Sequence, residues 1–281
     1  MDSNKSRKMI RSKKYLTREY LEVEAFNLSP HVKSFGRARK QKESTPAQKK
    51  LNDKKSRKYF RRLCNLNFGK GDIAVTLNCN DDNLPADRAE LLRWVRNYFE
   101  CLKRAWRKKY GDLLPFKYVY VLSQHKGDGS GSEARPHVHI IMSGGLDRDL
   151  IEGKWKKGFA NTKRLQFGED GIAGLTEYMA RQARETPGTR SWGASKNLLK
   201  PEPVISDRAL TKSQLDRIVN DPSDGRYIEK LINKGLRRKW TFTKCIVERD
   251  GRELFGSDID TGEGMGYSVL IYMRREYSQK I

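Results

Sequence analysis

From Arg135 to Met142 the chain reads Arg-Pro-His-Val-His-Ile-Ile-Met, and this run limits the fold more than any other. Alternation along a strand sends residues i and i+2 to one face, about 7 Å apart. His137 and His139 therefore share a face while Val138, Ile140 and Met142 pack the other. A strand that buries one face needs neighbours, and the nearest precedes it. An apolar run from about Phe116 to Gln124 is joined to it through Lys126-Gly-Asp-Gly-Ser-Gly-Ser132, a short glycine-rich loop that predicts an antiparallel hairpin. The hairpin sets Gln124 and His125 beside the start of the His-x-His strand, within reach of anything the histidines hold. Two imidazoles on one face are a metal half-site; equally, they are two polar residues on a solvated face. The rest of the chain has to decide.

The run Asp72-Ile-Ala-Val-Thr-Leu-Asn-Cys79 reads as a further strand that ends in the turn Asn80-Asp-Asp-Asn83. Pro85 then opens a helical pattern, with Ala89, Leu92, Val95, Phe99, Leu102 and Trp106 on one face and Gly111 as its stop. After the His-x-His strand come a short helix near Asp147–Glu152, a strand near Phe159–Phe167 and a helix over Ile172–Arg184. On that last helix Tyr178 and Arg181 sit three apart and share a face. The following loop, Thr189-Arg-Ser-Trp-Gly-Ala-Ser-Lys196, interleaves Trp192 with Arg190 and Lys196. That pattern suits stacking on unpaired bases, and it also suits a plain connector. The tail reads as helices at Lys212–Val219 and Arg226–Lys234 and strands at Lys239–Glu248 and Gly266–Arg274.

These patterns predict an α+β fold, a central antiparallel sheet with flanking helices occupying residues 66–205. A basic N-terminal arm, residues 1–65, precedes it. An extension of helices and strands, residues 206–281, follows and either stands apart or completes the same sheet. In the arm, lysine and arginine crowd out apolar residues, so it has no core of its own; it reads as partly helical, at Thr17–Phe26 and Pro46–Leu63, the second with Leu51, Phe60 and Leu63 to dock against a body, or as a solvated, partly disordered arm that orders on nucleic acid.

Charge narrows the partner. With 58 Lys and Arg against 35 Asp and Glu, the formal net charge is +23. Such a surplus favours a polyanion, because cations displace the counterions condensed on phosphates. No segment has the apolar length to span a bilayer, and no signal-peptide pattern opens the chain, so a soluble cytoplasmic protein with no membrane partner is expected. Cys64, Cys79, Cys101 and Cys245 stand singly, which excludes a zinc knuckle or a disulfide frame.

In order, then, the chain offers a strand ending in an acidic turn, a His-x-His strand, and a helix with a tyrosine beside a cation. This order resembles the HUH endonuclease superfamily, in particular the rolling-circle replication initiators of phages and plasmids that carry a single catalytic tyrosine. The resemblance covers about Gly71 to Pro203. The first motif of that family is similar to Val75-Thr-Leu-Asn-Cys-Asn-Asp-Asp-Asn-Leu-Pro85. The second is similar to Ala134-Arg-Pro-His-Val-His139, with Ala134 where glycine is usual. The third, Tyr-x-x-Lys on a helix, is similar to Tyr178-Met-Ala-Arg181, with Arg181 in place of lysine. The acidic ligand that the family often sets on the preceding strand falls on Gln124, a neutral oxygen donor; His125 competes for that role.

The resemblance implies an HUH or RRM-like palm and a divalent metal, Mg²⁺ or Mn²⁺, held by His137, His139 and Gln124. It implies Tyr178 as nucleophile with Arg181 assisting, and single-stranded or hairpin origin DNA as substrate, contacted by Arg135, Arg190, Trp192 and Lys196. The reaction would leave a 5′-phosphotyrosine and a free 3′-hydroxyl primer, with a host helicase and polymerase as candidate partners in a bacterial or archaeal cytoplasm. Tyrosine at its ordinary pKa of about 10 is a poor nucleophile, so a nearby cation and a metal suit the chemistry. Amidohydrolases share the His-x-His strand but need histidine ligands downstream, and none follows His139. Conjugative relaxases place the tyrosine before the histidines. A single-tyrosine HUH transposase keeps the present order, and a non-catalytic basic DNA-binding protein explains the charge but not the histidines.

Overall fold

The structure, a computed structural model, describes residues 9–17, 19–28, 45–125, 133–182, 192–248 and 267–275. In chain order the elements are β1 (Met9–Leu16), β2 (Tyr20–Leu28), α1 (Pro46–Asn67) and β3 (Ile73–Cys79). A 3-10 turn (Asp81–Asn83), α2 (Arg88–Tyr110), β4 (Tyr118–His125), β5 (Glu133–Met142), α3 (Arg148–Gly153) and β6 (Gly158–Arg164) follow. The chain then forms α4 (Ala173–Gln182), the short β7 (Gly193–Ala194) and β8 (Val204–Ser206), α5 (Lys212–Asn220), α6 (Gly225–Ile232), β9 (Trp240–Glu248) and β10 (Ser268–Arg275). The fold is α+β, with two antiparallel five-stranded sheets, ordered β6-β3-β5-β4-β7 and β8-β1-β2-β10-β9. Two compact units contain them: residues 63–168 with 172–200, and residues 1–62 with 169–171 and 201–281.

In the first unit, period-two patterning does what it predicts. Along β3 every second residue is buried, and the His-x-His strand β5 lies between β3 and β4, with the hairpin partner in antiparallel register. Val75 and Leu77 of β3, Val138, Ile140 and Met142 of β5 and Leu122 of β4 turn to one face. There they pack against Leu91, Val95, Phe99, Leu102 and Trp106 of α2. Asp87 caps the start of α2 by accepting from the Glu90 amide, and Gly111 ends it with φ of 62°, a conformation that favours glycine. Phe99 stacks on Tyr118 with ring centroids 3.7 Å apart. The outer strand β6 comes close to β3 at Gly158, where φ is 147° and a Cβ would lie 2.2 Å from the Asn78 carbonyl oxygen; only glycine allows that approach.

The second unit corrects two expectations. Residues 20–28 are a strand rather than a helix, and with β1 they pair in a hairpin whose β2 also pairs with β10 from the tail. The tail strands thus pair with the N-terminal hairpin and not with the His-x-His sheet. Ile10, Leu21, Val23 and Ala25 join Val269, Ile271 and Met273 in a core with Leu215, Ile218, Ile228 and Ile232 of α5 and α6. The other face explains why a basic segment can fold. Glu22 and Glu24 project between Leu21, Val23 and Ala25. Arg61 and Arg62 of α1 donate to Glu22 at 2.9 and 2.8 Å, and Lys58 to Glu24 at 3.0 Å. Burial alone would raise the Glu24 carboxyl; Lys58 and Arg62 outweigh it and hold the group below its ordinary range. Among the described residues, no helix is long and apolar enough to cross a membrane.

Candidate metal and nucleophile centre

The face of the first sheet opposite α2 carries the histidines. Antiparallel register sets Thr76 opposite His139 and Asn78 opposite His137 on β3, and Val121 and Ser123 opposite the same pair on β4. Toward Met142 this face is closed by Val119, Val121, Ile141 and Met179, all fully buried. Toward Arg135 it opens, so the two rings sit where a closed apolar floor meets solvent. His139 is 7% exposed, and His137 is half-buried.

Helix α4 lies over this face against β4. Its attachment is polar as well as apolar: buried Ser123 Oγ donates to buried Gln182 Oε1 at 2.8 Å. Thr176, Met179 and Gln182 are buried on the inner side of the helix. Tyr178, one turn before Gln182, is about half exposed and sets its ring edge-on to His139, centroids 5.1 Å apart at 71°. The His137 and His139 rings are 4.9 Å apart at 85°. Three residues drawn from two separate stretches of sequence, His137, His139 and Tyr178, thus converge at one place.

The hydrogen bonds of the rings bear on what they can hold. His137 Nδ1 lies 2.9 Å from the Arg135 carbonyl oxygen. A carbonyl only accepts, so Nδ1 carries the proton and the neutral ring presents its lone pair at Nε2. His139 Nδ1 lies 3.3 Å from Thr76 Oγ1, while its Nε2 is buried with no hydrogen-bond partner among the described residues. Leaving such an atom unsatisfied costs about 1–3 kcal/mol. Burial, reinforced by His137, pushes the His139 imidazole down to about 4, so the ring is neutral near pH 7. A neutral imidazole whose other nitrogen is tied to backbone or hydroxyl oxygen is the form that ligates metals. The donor set therefore fits a divalent cation on two nitrogens. Among the described residues no cluster of three His, Cys, Asp or Glu is present. The sequence candidates for a further ligand, Gln124 and His125, have side chains outside the described residues, and Asn78 stands in register with His137.

The other sequence candidates are distributed as follows. Gln124 falls in the irregularity of the β4–β5 ladder between the pairs Ser123–His137 and His125–Glu133; its side chain and that of His125 lie outside the described residues. Arg135 is exposed at the open end of the face and ion-pairs with Asp81 of the acidic turn. Arg181 pairs along its own helix with Glu177, 3.4 Å away, both groups largely exposed. Trp192 is half-buried and Lys196 exposed, flanking β7, which pairs with β4 at the far edge of the same sheet. Arg190 lies outside the described residues. Sequence reasoning missed the Ser123–Gln182 bond and the Thr76 contact. The period of β3 and β4 foretells which side chains share the histidine face, but not that a helix polar group meets one of them.

No family model matches the chain, and no curated protein or solved structure is detectably similar to it.

Proposed function

We propose that the chain is a metal-dependent, single-tyrosine DNA strand transferase of the HUH type, an initiator of rolling-circle replication that nicks and rejoins single-stranded origin DNA. The observation that carries this reading is the convergence of the Tyr178 ring on His139 and His137, beside a buried Nε2 that has no partner among the described residues. A palm-like sheet with its histidines on the central strand β5 and its tyrosine on the overlying α4 supports the same reading. A solvated strand face does not account for a histidine that is 7% exposed. A single-tyrosine HUH transposase would use the same centre.

In this reading His137 and His139 would hold Mg²⁺ or Mn²⁺, with Gln124 or His125 as a further ligand and Asn78, in register with His137, as an oxygen donor; imidazole suits Mn²⁺ better than Mg²⁺. The bound ion supplies charge neutralisation at the scissile phosphate. Tyr178 Oη attacks the phosphorus and forms the new O–P bond, its proton passing to solvent at the exposed edge of the ring. The bond from phosphorus to the 3′-oxygen breaks, and that oxygen takes a proton and leaves as a free hydroxyl. The 5′-phosphate stays on Tyr178, so attack by a 3′-hydroxyl reverses the step and rejoins a strand. Arg135 and Arg181, which pair with Asp81 and Glu177, would exchange these carboxylates for phosphates of the strand. Arg190, Trp192 and Lys196 would contact the strand beyond.

The test is nicking of single-stranded origin hairpins with Mn²⁺ or Mg²⁺. A covalent protein–DNA adduct is expected, lost with chelator, absent in Tyr178→Phe and strongly reduced in His137→Ala. Normal nicking by Tyr178→Phe would refute the proposal, and binding without cleavage across several metals would favour the non-catalytic reading.

A further inference from the structure

Strand β6 is an outer strand of the histidine-bearing sheet, and its outward residues have no part in the mechanism above. Register sets Phe159 opposite Asn78, and Asn78 opposite His137, so the three form one row across adjacent strands and share one face. With strands about 4.8 Å apart, Phe159 lies roughly 10 Å from His137 along that row. Its side chain is 63% exposed, although burying a phenyl group contributes about 1.5–3 kcal/mol. Asn161 and Lys163 follow on the same face and are exposed too. Between Gly153 and Gly168 the chain carries Lys154, Lys156, Lys157, Lys163 and Arg164 and no Asp or Glu.

A single exposed aromatic is ordinary on a protein surface. Here it stands in a stretch whose own residues carry cations and no acid, on the same sheet face as the histidines and two strands away, while the nearby Glu152 carboxylate bonds Thr162 on the other face. We propose that Phe159 is a stacking platform for an unpaired base of the DNA strand whose phosphate lies at His137 and His139, with Lys163 and Lys156 meeting the neighbouring backbone. The chemistry is that of single-strand binders: every base has a π-face, so an aromatic ring holds it without reading sequence, while cations follow the phosphates. A paired, stacked base offers no free face, so this contact selects single-stranded over duplex DNA. The inference rests on the single-stranded DNA reading above.

The test is fluorescence anisotropy of labelled oligothymidylate with the full chain in EDTA, where binding is separated from cleavage. Phe159→Ala is expected to weaken binding by about 5- to 150-fold, the range for losing one stacked base. Phe159→Trp is expected to keep wild-type affinity and to show quenching on binding beyond that of the wild type, and none beyond it with the blunt oligo(dT)–oligo(dA) duplex. Wild-type affinity in Phe159→Ala, or no added quenching in Phe159→Trp, overturns the inference. An unchanged Phe159→Ala would leave the nicking proposal standing, and a missing covalent adduct with a weakened Phe159→Ala would remove catalysis and leave the stacking contact.

Discussion

At the scale of single residues, the centre stands on a stability sacrifice at His139. In the metal-free protein its neutral ring is favoured by burial, with His137 adding to the effect, while the unfolded chain protonates near pH 6.5. Between about pH 6.5 and 4 the unfolded state therefore binds one more proton than the folded state, and stability falls as pH falls. The full effect is about 3 kcal/mol. Urea midpoints measured with chelator should drop through this window in the wild type and show a flatter profile in His139→Gln. Parallel profiles would mean that the ring is already solvated. Added Mn²⁺ should raise the midpoint near pH 7 in the wild type by mass action, and not in His139→Gln.

At the scale of elements, the placement of α4 decides whether Tyr178 meets the histidines. Gln182→Leu removes the buried Ser123–Gln182 hydrogen bond between β4 and α4 and should cost about 0.5–1.5 kcal/mol in denaturant unfolding. A shifted helix should slow nicking more than it weakens oligonucleotide binding; equal losses in both would show that the bond only stabilises the fold. The elements of this unit were legible because each carries a clean period: two for β3 and β5, between three and four for α2 and α4. The N-terminal strands were not, because β1 carries Arg11, Lys13 and Lys14 and β2 carries Glu22 and Glu24, and high charge density reads as solvated chain. The strict alternation Leu21-Glu-Val-Glu-Ala25 is the signal that finds β2. Its glutamates are covered by cations from α1, 34–40 residues away, a pairing that no local window contains. In the centre, the shared face of the histidine pair follows from their spacing and Tyr178 was singled out through the resemblance in motif order, whereas the exposure of Phe159 depends on β6 being an outer strand, a property of sheet order alone.

At the scale of the whole molecule, the +23 charge is not a uniform pool of phosphate contacts. Lys58, Arg61 and Arg62 are engaged with Glu22 and Glu24, so they serve the fold. Arg62→Gln should lower stability by about 1.5–3 kcal/mol, because Glu22 keeps Arg61 but loses its charged hydrogen bonds to Arg62, and leave the salt dependence of oligonucleotide binding unchanged. Arg135→Gln should instead reduce the slope of log K against log salt by about 0.7, the value for one lost phosphate contact on single-stranded DNA. Reversal of these two outcomes would assign the basic residues the other way round. The central claim, that His137, His139 and Tyr178 form one strand-transfer centre, is tested most directly by peptide mass spectrometry. The full chain is reacted with single-stranded origin DNA and Mn²⁺, and the DNA is then trimmed by nuclease. The account predicts a nucleotide 5′-phosphate on the peptide containing Tyr178. A modified peptide containing a different tyrosine, or nicked DNA with no modified peptide, would contradict it.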